Sequence, residues 1–202
     1  MQLIGSLTSP FVRKIRIALI EKNLAFELIV DLPTNPGSKV ADFNPLGKVP
    51  VLIDDDGAIW FDSDLVLEYL ETLYPDVPLL PQERRAALPV RQTMKLADGV
   101  ADAGVLIYLE KLREADKQDE KWIARQRGKV DRGLAALEVR ATDKTWLHGD
   151  AFGAADIAVG CYLCWLDFRL PDLKWRDRYP ALVALDARLS ERPSFAQTVP
   201  VI

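Results

Sequence analysis

Histidine and cysteine are almost missing from this chain of 202 residues, which has one of the first, His148, and two of the second, Cys161 and Cys164. One imidazole and two thiols fall short of the four ligands of a structural zinc site. Two cysteines make no disulfide framework either. The Cys161-Tyr162-Leu163-Cys164 spacing is that of a redox pair, but redox pairs sit where a strand turns into a helix, so that the helix N-terminus stabilises the thiolate. This pair lies inside a helical pattern that starts at Ala155-Asp156-Ile157-Ala158. Both are therefore read as small buried helix residues, with no disulfide expected in a reducing compartment. His148, within Trp146-Leu147-His148-Gly149-Asp150, is read as a loop residue rather than a ligand or base.

Surplus positive charge is also lacking. Lysine and arginine number 26 against 30 aspartates and glutamates, a formal net charge of -4. Such a balance argues against a nucleic-acid partner, whose phosphates require a concentrated basic surface. The local run Arg13-Lys14, with Arg16, alternates with apolar residues and reads as the solvated face of a helix. No apolar run reaches the ~18 residues that would span a bilayer; the longest, Ile157 to Leu166, stops at Asp167. The opening Met1-Gln2-Leu3-Ile4-Gly5-Ser6 is not a secretion signal. The expected location is the cytoplasm, with no membrane association.

What is present is an ordinary globular composition, 49% hydrophobic and 28% charged, in a length that suits one large or two small domains. The first 74 residues alternate in type. Gln2 to Gly5 reads as a strand, and Ser9-Pro10 opens a helix to about Lys22, with serine a good N-cap and proline favoured at the first helical position. Phe26 to Val30 is a second strand, and a strand-helix-strand unit of this length implies a parallel pair. Val51 to Ile53 and Ala58 to Phe61 flank Asp54-Asp55-Asp56-Gly57 as a hairpin. Ser63 to Tyr74 is helical, with Leu65, Leu67, Tyr69, Leu70 and Leu73 available for burial. Three prolines in Pro75-Asp76-Val77-Pro78-Leu79-Leu80-Pro81 then make a stiff connector. Beyond it, apolar residues recur at helical spacing from Glu83 to about Arg140, and two more helical segments come after, Gly153 to Phe168 and Pro180 to Glu191. The expected architecture is an α/β domain over 1–76, a linker over 77–82 and an all-helical domain over 83–202.

Several segments in this order resemble the glutathione S-transferase superfamily, in its bacterial serine-type branch. They are Ser9-Pro10-Phe11, Asn44-Pro45-Leu46-Gly47-Lys48-Val49-Pro50-Val51-Leu52, Asp62-Ser63, Gly153-Ala154-Ala155-Asp156-Ile157-Ala158 and Arg192-Pro193-Ser194-Phe195. The resemblance implies a thioredoxin-like first domain and a helical-bundle second domain. It also implies glutathione as co-substrate, with no metal and no redox cofactor. The thiol of glutathione has a reference pKa of ~8.5, so only ~3% is thiolate at pH 7. A hydroxyl donating to the thiolate supplies ~1.5–3 kcal/mol, and a helix N-terminus adds ~0.3–1 kcal/mol. Ser9 is thereby the expected catalytic residue, with Thr8 and Ser6 as competing hydroxyls and an N-cap as its alternative role. A glutaredoxin would carry cysteine in place of Ser9 and Val12, so dithiol chemistry at this turn is excluded.

The resemblance assigns glutathione binding to Phe11, Lys48, Val49, Pro50, Asp62 and Ser63. Val49-Pro50 matches the family's cis-proline turn, whose backbone pairs with the cysteinyl unit like an added strand. Lys48 is placed for the glycyl carboxylate. Ser63 and its helix N-terminus suit the γ-glutamyl carboxylate, and Asp62, standing where the family more often has Glu, suits the ammonium. Both residues are also ordinary caps. Gly153 stands where the family has Ser or Thr, which leaves only Asp156 to bond back across the helix start. Leu106, Tyr108, Trp165 and Phe168 are candidates for a pocket holding a hydrophobic electrophile.

These residues imply a glutathione transferase. The alternatives are a non-catalytic glutathione-binding or protein-interaction module and a glutathione-dependent oxidoreductase. A homodimer is expected, with contacts around Phe43, Asp64, Glu68, Arg84, Arg85 and Arg91.

Overall fold

The computed structural model describes residues 1–201. They form two compact units, one of residues 1–81 with the terminal segment from 192 onward, the other of residues 82–191. The terminal segment, expected with the helical domain over 83–202, packs in the first of these compact units.

The first unit is built on a four-stranded mixed sheet. Its strands are β1 (Gln2–Gly5), β2 (Glu27–Val30), β3 (Val51–Ile53) and β4 (Ile59–Phe61), in the order β2-β1-β3-β4. β1 and β2 are parallel, as the strand-helix-strand reading requires, and β3 runs antiparallel to both β1 and β4. Leu3 and Ile4 are both buried although successive strand residues point to opposite faces, so both faces of the sheet are covered. Ile4, Val51 and Val40 form a core cluster, with Ile29, Phe43, Ile53 and Phe61 packed against it. Val40 and Phe43 belong to a short helix, α2 (Val40–Phe43), that the sequence pattern does not announce.

Two longer helices complete the unit, α1 (Pro10–Glu21) and α3 (Ser63–Leu73). They pack on each other, and a one-turn C-terminal helix, α8 (Pro193–Ala196), packs on α1. This overturns the reading of Arg13 and Lys14 as a solvated face, because both are buried. With α3 and α8 against it as well as the sheet, α1 has too little open surface for a wet stripe. Arg13 instead donates from Nε to Thr198 Oγ1 at 3.3 Å and from Nη2 to the Phe195 carbonyl at 3.2 Å. Lys14 pairs with Asp64. At the far end of α1, Lys22 donates to the Tyr74 and Val77 carbonyls and pairs with Glu71, which anchors the proline-rich connector. On α3, Val66, Leu67 and Leu70 are buried, whereas Leu65 and Leu73, expected inside, are about half exposed.

The second unit is helical: α4 (Arg84–Lys111), α5 (Glu120–Ala141), α6 (Ala154–Arg169) and α7 (Pro180–Ser190). α4 and α5 approach closely at Gly133, where an added Cβ would lie 2.3 Å from Val100 Cγ2. Cys161 and Cys164 lie inside α6, as their pattern indicates. Asp156 accepts from Gly153 N–H at 3.0 Å, the half of the capping box that survives the loss of a hydroxyl, and also from Leu147 N–H at 2.9 Å. No described helix is long and apolar enough to cross a membrane.

Candidate functional site

Strand register brings three segments to one end of the sheet. Ile4 of β1 lies beside Val51 of β3, and Val51 lies beside Phe61 of β4. The segments leaving β1 and β4 and the segment entering β3 therefore meet there: the turn to Ser9, Asp62-Ser63, and the Val49–Pro50 bond. α1 and α3 both begin at this end, so two helix N-termini, whose first N–H groups have no partner within the helix, face the same region.

Ser9 is the N-cap of α1, with extended backbone, and its Oγ accepts from Val12 N–H at 3.3 Å. Capping uses an acceptor lone pair of the hydroxyl and leaves its proton to be donated elsewhere. Cap and thiol donor are thus compatible roles for one side chain. Gly5 lets this turn sit close to the strand, since an added Cβ would lie 2.4 Å from Val12 Cγ2. Ser6 is buried at the strand end, while Thr8 and Ser9 are half-buried. Phe11 is half-buried in the first turn of the same helix.

The loop before β3 is held by Asn44. Its Nδ2 donates to the Lys48 carbonyl at 2.8 Å and its Oδ1 accepts from Leu46 N–H at 3.0 Å. Gly47 N–H bonds to the Asn44 carbonyl at 2.8 Å, and its φ of 60° is one that glycine adopts without a Cβ clash. Asn44 is buried and shapes the site indirectly, a role visible in the sequence only as part of a motif. Among the described residues Lys48 Nζ has no ion pair or hydrogen bond. The Val49–Pro50 peptide bond is cis.

Asp62 is the N-cap of α3, and its Oδ1 accepts from Asp64 N–H at 2.9 Å and Leu65 N–H at 3.2 Å. Its backbone sits at φ 71°, ψ 121°, which is strained for a residue with a side chain. Ser63 is the first helical residue and is buried. Ser9, Lys48, Val49, Pro50, Asp62 and Ser63 therefore all border one end of the sheet.

The pocket candidates lie in the helical unit and only partly converge. Tyr108 and Trp165 meet edge to face at 6.2 Å, and the Arg169 guanidinium lies over both Tyr108 and Phe168 at 4.9 and 4.2 Å. Arg169 is the member of this group that helical periodicity does not single out. Trp165 is buried against Gly104, a core placement, and Leu106 stands exposed. His148 is bonded to Thr93 Oγ1 at 2.7 Å. Burial, and then the nearby Lys144 and Arg140 charges, push its pKa down.

The resemblance seen in the sequence extends to whole proteins. Residues 8–73 match the glutathione S-transferase N-terminal domain and residues 120–195 the C-terminal domain. An uncharacterised GST-like protein of Escherichia coli, YibF, is 44% identical over 99% of this chain and 98% of its own length. A glutathione S-transferase from Methylobacterium radiotolerans, solved with glutathione sulfonate, is 42% identical with a TM-score of 0.96, covering 100% of this chain and 95% of that one. Another from Methylobacillus flagellatus, solved with glutathione bound, is 40% identical with a TM-score of 0.95, covering 99% of both chains. By both sequence and fold, this chain belongs to the glutathione S-transferase family.

Proposed function

We propose that the protein binds glutathione at the end of the sheet bordered by Ser9, Pro50 and Asp62, and transfers its thiolate to a hydrophobic electrophile. The observation that carries this reading is the Ser9 hydroxyl: it caps α1 through a lone pair while its proton is available to a thiolate at the same helix N-terminus. In this reading Ser9 Oγ donates to the sulfur and the glutathione proton leaves to solvent. The Val49 backbone pairs with the cysteinyl unit and Phe11 lines the thiol end. Lys48 meets the glycyl carboxylate, and Ser63 with the α3 N-terminus meets the γ-glutamyl carboxylate. The strained Asp62 backbone supports this placement, since such conformations collect at ligand sites. Glutathione bound to relatives of 40% identity and above supports the choice of thiol.

The same reading makes the protein a cytoplasmic homodimer that conjugates reactive small molecules, with its electrophile held by the helical unit. Conjugation assays against a panel of aryl halides, epoxides and enals test it, together with ultraviolet titration of bound glutathione. Thiolate absorbance appearing well below pH 8 together with turnover is the expected result. Tight binding without turnover on any electrophile would favour a glutathione-binding module, and no binding would reject the reading. Light scattering at micromolar concentration tests the dimer, which a mass near 22.7 kDa would overturn.

A further inference from the structure

Arg13 is a buried cation with an unusual set of partners. Its side chain is 3% exposed. Among the described residues no carboxylate lies within ion-pair distance of it; its acceptors are the neutral Thr198 Oγ1 and Phe195 carbonyl, and its guanidinium lies 5.4 Å from the Phe195 ring centroid. Nη1 is buried and has no hydrogen-bond partner. A buried cation that finds only neutral acceptors among the described residues is costly to hold, and that cost calls for a use.

Position suggests the use. Arg13 stands four residues after Ser9, about 6 Å along the helix axis, and helical side chains lean back toward the N-terminus. The other charges on α1 and on the segments packed against it are committed to partners: Lys14 to Asp64, Lys22 to Glu71 and Glu21 to Arg192, while Arg16 donates to the Gln197 carbonyl. The C-terminal segment runs antiparallel to α1, with Arg192 and Ser194 on Glu21, Gln197 on Arg16 and Thr198 on Arg13.

We propose that Arg13, clamped by the segment 192–198, is a fixed positive charge that favours the thiolate of glutathione bound at Ser9. The inference rests on the proposed function. Arg13 touches neither sulfur nor substrate; it acts through the field at the start of α1, adding to the helix N-terminus and the Ser9 hydrogen bond.

Titrating glutathione bound to the full-length protein separates the two ideas. A wild-type thiol at its solution pKa would reject the thiolate-binding reading itself. With a lowered wild-type value, Arg13→Met and Arg13→Gln are expected to raise the thiol pKa by about one unit, the effect of a unit charge ~10 Å away at an effective dielectric of about 20. Arg13→Lys should hold it within a few tenths, and binding of S-methylglutathione, which has no thiol to ionise, should change less than twofold in all three. A wild-type thiol pKa in the two neutral variants would overturn the proposal, as would weakened S-methylglutathione binding with no pKa change. Should those variants fail to fold, Thr198→Val keeps the charge but removes one of the two acceptors that position it. It should raise the thiol pKa part of the way, and an unchanged value there would also overturn the inference.

Discussion

Lys14 Nζ lies 2.5 Å from Asp64 Oδ1, with the lysine side chain wholly enclosed and the aspartate 16% exposed. The pair joins the helix that Ser9 caps to the first turn of the helix that Asp62 caps, so it ties together two sides of the proposed glutathione site. Asp64, one of the residues expected around a subunit contact, makes this bond within its own chain.

The pair is asymmetric, and so are the expected mutational costs. Asp64→Asn takes a charged partner from a buried ammonium and should be the more costly change, up to roughly 3–5 kcal/mol. Lys14→Met replaces the buried cation with an apolar chain of similar reach and leaves a carboxylate that water can reach, so its cost should be under about 2 kcal/mol. Urea unfolding of both variants checks the order. Equal losses would mean that burial of Lys14 is not what makes the pair matter.

Ser9 carries two roles that substitution can separate. Ser9→Ala removes cap and donor; Ser9→Gly removes the donor but costs the cap only a few tenths of a kcal/mol. Both are expected to raise the pKa of bound glutathione and to slow conjugation about ten- to a hundredfold, as loss of a ~1.5–3 kcal/mol bond implies. Only Ser9→Ala should also lower stability appreciably, by about 1 kcal/mol. A thiol pKa that Ser9→Gly leaves untouched would reduce Ser9 to a cap and move attention to Thr8 or a backbone N–H.

The far end of the ligand should respond differently. Ser63→Ala and Asp62→Ala are expected to weaken glutathione binding while leaving the thiol pKa near the wild-type value, because both residues are assigned to the γ-glutamyl group. Asp62→Ala should cost stability as well, since it withdraws the acceptor shared by Asp64 and Leu65 N–H. Calorimetry on the two variants decides, and wild-type affinity in both would remove them from the site.

How much of this is legible in the sequence depends on the range of the interaction. Local chemistry reads well: Ser9-Pro10 opens α1, the Asp54–Gly57 hairpin joins β3 and β4, and Asp156 bonds back across the start of α6 without its hydroxyl partner. Burial of Arg13 and Lys14 does not read, because the partners that make it tolerable lie at Thr198, Phe195 and Asp64, far along the chain. Charge alternating with apolar residues is the signature of a wet helix face, and only the contacts of α3 and α8 override it. Helical α2 escapes the pattern because four residues carry no period. The return of residues 192–201 to pack with the first unit does not read either, because nothing local marks where the chain comes back to α1.

Asp156 offers a test in which two physical effects compete. Burial pushes its carboxyl up to about 6 despite hydrogen bonds from the Leu147 and Gly153 N–H groups, which favour the charged form. The folded protein therefore holds this proton over a range where the unfolded chain, at 3.8, has released it. Its contribution to stability is greatest below pH 4 and is lost as the pH rises through about 6, a change approaching about 3 kcal/mol. Asp156→Asn does not titrate, and it keeps only one of the two acceptors, so it leaves a buried N–H unmatched at a cost of about 1–3 kcal/mol. Because the acid form of Asp156 has a similar deficit, the stability of wild type relative to Asp156→Asn should fall between pH 4 and pH 6.5. Denaturant unfolding of both proteins across that range measures the difference directly. If wild type instead gains on the variant as the pH rises, the two N–H bonds outweigh desolvation and Asp156 is ionised in the folded protein at pH 5.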